Sequence, residues 1–440
     1  MNELLLIMMI VGLILGLLTG HPLAFVLGGV ATIAGLVGWG DMIFHIFVMR
    51  TFGMMNSYAL VAIPLFILMA NFLTASNVAS GLFDAARYLF GPIKGGLGVA
   101  VILVSTIFAA TTGIVGASVI TMGLLGLPVL LEKGYNKKLA LGVVGAGGTL
   151  GILYPPSIML VLMGSYAQVS VGQLFLATIV PGLMLSTAYI IYILVICNVK
   201  KDYGPALTPE EAAAMPVPQR IKNALVNLIP PMILIFAVLG TIFFGWATPT
   251  EASGMGALFA LVLTIVYRRF SIKMIYTSVI QTAKTTAMCF VIVMGAQAFT
   301  SMFIALNGEI LIIRLMEGMG LGKWGVFALF LVLVFVFGMF IDWIGVLMLL
   351  FPMFLPILNY YDFNLLWVLT VVAVLLQTSF MTPPFGYTIF YIKGISPPEI
   401  DLAMIFKGVT PFVIIICFVV LLTIMFPSAA TWLPSIGMAM

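Results

Sequence analysis

Uncharged apolar runs of 18 or more residues recur from end to end of this chain of 440 residues, and each is long enough to cross a bilayer as a helix. A soluble domain carries about a quarter charged residues. Here the charged share is 7 %, the apolar share 63 % and the mean hydropathy +1.26, so a hydrated surface cannot be built. One membrane body, not a row of soluble domains, is the expectation. The net charge of +4 comes from scattered loop residues that form no long patch, so no nucleic acid partner is implied. Cys197, Cys289 and Cys417 lie in apolar segments without CxxC spacing and read as small buried hydrophobes, not metal ligands or disulfides. Residues 1–20 lack a basic leading region and a small-residue cleavage site, with Glu3 in place of positive charge, and read as a first span.

Apolar runs predict spans near 3–20, 22–40, 58–77, 139–165, 172–198, 224–245, 251–267, 284–305, 365–392 and 403–426. Two further stretches, 97–131 and 324–358, carry small or polar residues at mid-length: Thr111-Thr112-Gly113 through Ser118, and Gly338 through Asp342. Each arm is then about 15 residues, roughly 22 Å of helix, short of the ~30 Å hydrocarbon core. A re-entrant hairpin fits each stretch better than two spans. Two spans carry a Pro-Pro break, at Tyr154-Pro155-Pro156-Ser157 and at Thr382-Pro383-Pro384-Phe385.

Pro155 and Pro383 lie 228 positions apart, as do Thr112 and Phe340, and Pro128 and Pro356. Pro22 and Pro249 lie 227 apart, Lys94 and Lys323 lie 229 apart. Five features within one residue of one offset predict two repeats, 1–198 and 223–440, joined by a linker, 199–222. Each repeat holds five spans, an odd number, plus a hairpin that returns to its own side, so the repeats are inverted. The sequence specifies an all-α polytopic membrane protein with two re-entrant helical hairpins and two broken transmembrane helices.

Basic residues set the sidedness. Lys133, Lys137, Lys138, Lys200, Lys201, Arg220, Lys222, Arg268, Arg269 and Lys273 fall on one side, which the positive-inside rule makes cytoplasmic. Both termini then face outward. The linker, with Pro205, Pro209, Pro216 and Pro218, is the one substantial soluble loop, too small for a nucleotide-binding domain, and no Walker-type motif is present.

At an interrupted helix, free N–H groups attract anions and free carbonyls attract cations. Thr111, Thr112, Ser118, Thr121 and Ser157 supply hydroxyls in the first half; Gln377, Thr378, Ser379, Thr382 and Thr388 supply neutral oxygens in the second. Neutral hard oxygens suit a small cation such as Na+. Single Ser and Thr residues in membranes also serve as helix glue. The candidate ion ligands are Thr111, Thr112, Gly113, Ser118, Gly148, Pro155, Gly338, Asp342, Thr378 and Thr382. Candidate substrate contacts are Thr112, Tyr154, Ser157, Ser379, Thr382 and Arg50. Asp342 either coordinates a cation or braces its hairpin tip. Arg50 is an interfacial anchor, the plainer reading, or a guide for anions. Glu251 reads as an ordinary helix-start acid, and Lys284 as a snorkelling residue at a span edge. No catalytic set and no transition-metal site can be assembled, and mid-membrane charge is nearly confined to Asp342, which disfavours both an intramembrane enzyme and a proton-conducting redox subunit.

Ala62-Ile63-Pro64-Leu65-Phe66-Ile67-Leu68, Gly95-Gly96-Leu97, Thr111-Thr112-Gly113, Leu153-Tyr154-Pro155-Pro156-Ser157, Ala247-Thr248-Pro249-Thr250-Glu251-Ala252 and the Gly338 to Asp342 stretch follow one another along nearly the whole chain. In this the chain resembles the large membrane subunit of tripartite ATP-independent periplasmic (TRAP) transporters. That resemblance implies a small membrane subunit and a periplasmic substrate-binding protein as partners, an organic acid as substrate, Na+ as coupling ion and the bacterial inner membrane as location, with both termini periplasmic. It also implies an elevator, with a transport domain of approximately 91–170 plus 318–395 on a scaffold. No fused small subunit precedes the first span, so a separate one is expected. Trp343 after Asp342 departs from the family pattern and leaves the second tip's shape open. A stand-alone Na+/carboxylate symporter is the alternative.

Overall fold

The computed structural model describes residues 2–113, 115–200, 202–208, 210 and 215–437; Ile114 of the first tip, and Lys201 and Pro209 of the linker, lie outside the described residues. Every element in it is helical or a turn. The first half runs through helices Asn2–Leu18, Leu23–Trp39, Met42–Met55, Tyr58–Ser76 and Val78–Phe90 to the first hairpin, Gly96–Thr112 and Val115–Glu132. A broken span follows: Lys137–Thr149, a 3-10 turn Leu150–Ile152, the Pro-Pro segment and Ile158–Ala167. The long helix Val171–Val199 closes this half.

The second half repeats the plan. Val217–Ile235, extended by a π turn Phe236–Gly240, leads to Pro249–Val266, Ile272–Ala305 and Gly308–Gly318. The second hairpin is Lys323–Gly338 with Trp343–Tyr360. Leu365–Leu375, the 3-10 turn Leu376–Phe380 and Tyr387–Ile395 form the second broken span, ahead of Leu402–Met425 and Ser428–Gly437. Pro155-Pro156 and Pro383-Pro384 are both cis.

Three expectations change. The hairpin arms have 17, 18, 16 and 18 residues, longer than anticipated. At about 27 Å the second arms approach the hydrocarbon thickness, so arm length alone does not decide re-entrance. The span expected at 284–305 starts at Ile272 and runs 34 residues, which puts Lys284 on an exposed helix flank twelve residues in, not at the edge. Its counterpart in the first half is split at Asn56-Ser57 into Met42–Met55 and Tyr58–Ser76. The short helices Val78–Phe90, Gly308–Gly318 and Ser428–Gly437 were absent from the expected spans. Among the described residues, eight helices are long and apolar enough to cross a membrane, or nine if Gly308–Gly318 and Lys323–Gly338, bent by 115°, count as one.

The halves interlock reciprocally. Pro249–Val266 packs along Tyr58–Ser76, and Leu23–Trp39 packs along Ile272–Ala305. Lys137–Thr149 lies on Leu402–Met425, and Leu365–Leu375 lies on Val171–Val199. Each hairpin's second arm meets the far part of the other half's broken span: Val115–Glu132 with Tyr387–Ile395, and Trp343–Tyr360 with Ile158–Ala167. Glycine makes several of these approaches possible, because a Cβ at Gly142 would strike the Gly408 carbonyl and one at Gly295 the Ala24 carbonyl. Outward faces stay apolar, with Leu4, Phe236, Leu258 and Ile414 all more than 60 % exposed. Such a surface needs lipid or another apolar chain to cover it.

Candidate functional site

The first tip turns on Gly113. Its φ of +62° suits glycine, and its N–H caps the helix on Ala109 O. A Cβ there would lie 2.8 Å from Pro156 O and 3.5 Å from Ser157 Cα, so the tip sits directly on the Pro-Pro break. Thr111 Oγ1 and Thr112 Oγ1 donate to Phe108 O at 2.6 and 3.0 Å. Thr112 Oγ1 also lies 2.9 Å from Ser118 Oγ, joining the two arms across the tip. With the Thr112 proton on the carbonyl, Ser118 donates to Thr112. A hydroxyl that gives its proton to a backbone carbonyl turns its lone pairs to whatever lies on its other side, the polarity a cation requires. Thr111, Thr112 and Ser118 are each at most 1 % exposed.

The break itself is tied down by Ser157, whose hydroxyl donates to Ile152 O and accepts from Leu160 N–H at 3.5 Å. Ser157 therefore serves as the N-cap of Ile158–Ala167. Gly148 lies against the second arm of its own hairpin, where a Cβ would come 2.7 Å from Val119 Cα. Tyr154 belongs to a different set of contacts. Its hydroxyl is 2.9 Å from Ser186 Oγ, which is 3.1 Å from Thr106 Oγ1, and its ring lies on Gly182. This chain of hydroxyls fastens the break to the long helix.

The second tip is built differently. Asp342 is the N-cap of Trp343–Tyr360, with Oδ1 accepting from Gly345 N–H at 3.1 Å. One carboxylate oxygen thus caps the helix at the tip. A Cβ on Gly338 would overlap Ser379 Oγ, so this tip rests on the 3-10 turn Leu376–Phe380. Past the prolines, Phe385 N–H donates to Met339 O at 3.2 Å. Thr378 Oγ1 donates to Leu375 O at 2.7 Å and Thr382 Oγ1 to Thr378 O at 2.8 Å.

Gln377, Ser379 and Thr388 are the unusual members. They are 0 %, 3 % and 0 % exposed, yet both amide atoms of Gln377 and both hydroxyls lack a hydrogen-bond partner. A buried amide without a partner costs about 1–3 kcal/mol, so Gln377 and Ser379, unpaired on the one turn Leu376–Phe380, suit a polar occupant. Gln377 and Thr388 were foreseen as oxygen donors; their isolation depends on tertiary packing.

The helix beyond the second break, Tyr387–Ile395, touches the first half at its hairpin and at the helix before its break. A Cβ at Gly145 would sit 3.4 Å from Thr388 Cγ2, and one at Gly116 would sit 3.3 Å from the Tyr391 ring. Nothing in one half's sequence announces its neighbour in the other, so these pairs could not be foreseen. Arg50 stands elsewhere, on the rim of a cavity that none of the tip residues lines. Glu251 accepts from Thr248 N–H at 2.7 Å while Thr248 Oγ1 accepts from Glu251 N–H at 3.3 Å, the reciprocal capping expected of a helix start. All three cysteines are free.

Apolar helices with outward apolar faces, enclosing broken helices and unpaired polar groups, define a multi-pass membrane transport protein. Residues 6–429 match the family of the tripartite ATP-independent periplasmic transporter, DctM component. The chain belongs to this family, as the large membrane subunit of a TRAP transporter. It is 28 % identical over 393 residues to the C4-dicarboxylate TRAP transporter large permease protein DctM of Pseudomonas aeruginosa, covering 89 % of this chain and 90 % of that one. To the ectoine large permease TeaC of Halomonas elongata it is 31 % identical, covering 85 % and 86 %. With the isethionate permease protein DctMQ of Oleidesulfovibrio alaskensis it shares 30 % identity across 96 % of its own length, and spans 64 % of that relative. These relatives are permeases, not enzymes. In fold it is similar to the YdaH transporter of Alcanivorax borkumensis, with a TM-score of 0.61 at 13 % identity, covering 95 % of this chain and 98 % of that one.

Proposed function

We propose that this chain imports a small organic acid across the bacterial inner membrane, coupled to Na+, with a small membrane subunit and a periplasmic binding protein as partners. The observation that carries the reading is the seating of both tips on both breaks: Gly113 on Pro156-Ser157 and Gly338 on Ser379. Na+ bound at either seat draws tip and break together, using Thr112, Ser118 and backbone carbonyls at the first and the Gln377 to Thr382 turn with Asp342 at the second. The ordered tips then hold the acid between them, and coupling follows because ion and acid favour the same closed geometry.

Re-entrant hairpins, inverted repeats and an elevator complete the proposal. Reciprocal packing of equivalent elements supports a two-fold relation between the halves. The contacts of Val171–Val199 and Leu402–Met425 with both broken spans support a moving body larger than 91–170 plus 318–395, with those two helices included. The linker lies in the cytoplasm and both termini lie outside. The names of the relatives support the partners and a small polar solute. Uptake into vesicles holding the chain with its small subunit and binding protein tests the coupling. Replacing Thr112, Ser118, Asp342 or Thr382 by Ala raises the Na+ needed for half-maximal uptake; wild-type Na+ dependence in all four variants sinks the proposal.

A further inference from the structure

The end of Met42–Met55, the start of Tyr58–Ser76, Ile158–Ala167, Ile272–Ala305 and Trp343–Tyr360 together wall a cavity of about 310 Å³. At ~30 Å³ per water in the liquid, that volume holds about ten waters, or a solute of comparable size. Arg50 is the one charged residue in its wall, and no carboxylate of the described residues pairs with it. Ser57, Ser165 and Gln297 add neutral donors, while Tyr166 is fixed by its 2.8 Å hydrogen bond to Thr300. Arg50 is exposed at the cavity mouth and no acidic residue lines the cavity, so a guanidinium among neutral donors favours an anion there.

Position along the helices makes the cavity a way-station. Leu162, in its wall, lies five residues past Ser157, and Met348 lies six past Asp342. At 1.5 Å per residue, the cavity is about 8 Å from the first break and about 9 Å from the second tip along their helix axes. We propose that this cavity is an anion-receiving site, in which Arg50 holds the carboxylate or sulfonate of an arriving solute before it passes between the tips. The direction of travel rests on the proposed import; the anion preference rests on the cavity alone.

Gly53 supplies the reporter, because it lines the cavity and a Cβ there would meet nothing within 4 Å. In a chain with Cys197, Cys289 and Cys417 replaced, Gly53→Cys is labelled with sulfonatoethyl and trimethylammonioethyl methanethiosulfonates, which carry opposite charges. The protein is held in phosphatidylcholine vesicles, with and without phosphatidylglycerol. With Arg50 present the anionic reagent is favoured and succinate slows labelling by both. Arg50→Gln lowers the anionic-to-cationic rate ratio about tenfold, the scale for a unit charge within one Debye length, and abolishes succinate protection. Arg50→Lys keeps the ratio and so controls for misfolding. An unchanged ratio in Arg50→Gln overturns the proposal. So does slowing by phosphatidylglycerol in place of succinate, which assigns the cavity to a lipid phosphate. Labelling needs neither Na+ nor transport, so Na+-independent uptake would overturn the coupling reading and leave this result standing.

Discussion

Replacing Gly113 by Ala, with Gly134→Ala as its partner, separates backbone strain from contact between tip and break. Both glycines have left-handed backbone, at φ +62° and +76°. A side chain in that conformation costs about 1–2 kcal/mol at either position. Only at Gly113 does the new Cβ also meet a fixed obstacle, the Pro156 carbonyl at 2.8 Å; at Gly134 the nearest atom, Pro205 Cγ, is 3.9 Å away. Backbone oxygen cannot swing aside, so Gly113→Ala carries a further ~1–3 kcal/mol of overpacking against the closed tip alone. At 1.4 kcal/mol per decade, the closed tip becomes about 5- to 150-fold less populated. Na+ that binds only the closed tip loses apparent affinity by the same factor. Thermal unfolding of the purified protein in nanodiscs, with choline exchanged for Na+, reads this without any substrate. Gly113→Ala is expected to shift the Na+ concentration for half-maximal stabilisation by 5- to 150-fold over Gly134→Ala, since only the former adds overpacking. Equal half-points in the two variants refute the seating argument.

Asp342→Asn keeps the cap and should unfold within about 0.5 kcal/mol of the parent without Na+, while Asp342→Ala loses about 1 kcal/mol. Loss of most Na+ stabilisation in Asp342→Asn marks the charge as an ion partner; an unchanged Na+ response leaves Asp342 a cap alone. Tyr154→Phe removes one bond from a chain in which Ser186 still reaches Thr106, so it costs about 0.5–1.5 kcal/mol and leaves the Na+ half-point in place. A tenfold shift of that half-point would instead put Tyr154 in the ion or substrate site. Single cysteines at Tyr203 and Ser435 of a cysteine-free chain test sidedness: an impermeant reagent applied outside should label Ser435 and miss Tyr203, and the reverse pattern inverts the topology.

Hydropathy located the spans well where it was the only force acting. The runs 172–198 and 403–426 lie within a residue of Val171–Val199 and Leu402–Met425, because burying uncharged backbone in lipid leaves helix as the one local solution. Breaks were legible for a local reason too, since each Pro-Pro removes two backbone donors, but the pair alone is not decisive: Pro230-Pro231 lies inside the helix Val217–Ile235. Met42–Met55 was not separable in advance. The first half of Ile272–Ala305, with Lys273, Lys284 and several Thr, is more polar than Met42–Met55, so hydropathy did not mark the two as counterparts. In lipid, outward and inward faces are both apolar, so the periodicity that marks a helix face in water fades. Thr112 with Ser118, and Gly338 beside Ser379, were gathered as site candidates from composition around the breaks, and the structure brings each pair together. Tyr154 was gathered on the same ground, yet its hydroxyl turns to Ser186. Sequence order names the residues near a break without saying which way each one faces.

What the two halves do together follows from where they touch. Thr388, buried without a partner just past the second Pro-Pro, lies against Gly145, one turn of helix before Gly148 and the first break. Tyr391, one turn further, lies against Gly116 at the root of the first tip. A side chain at Gly116 or Gly145 would press on these neighbours, which would have to give by a few tenths of an ångström. A shift in the second broken span therefore moves the walls of the first seat, and the reverse holds equally. Close-packed interiors pass on such displacements because there is no void to absorb them. In the proposed mechanism the two seats share these contacts, and linkage would then require each occupant to alter the affinity for the other by the same factor. Cooperation between the sites thus needs no long-range path. In the proposed mechanism it runs through the close approach of Thr388 to Gly145 and of Tyr391 to Gly116.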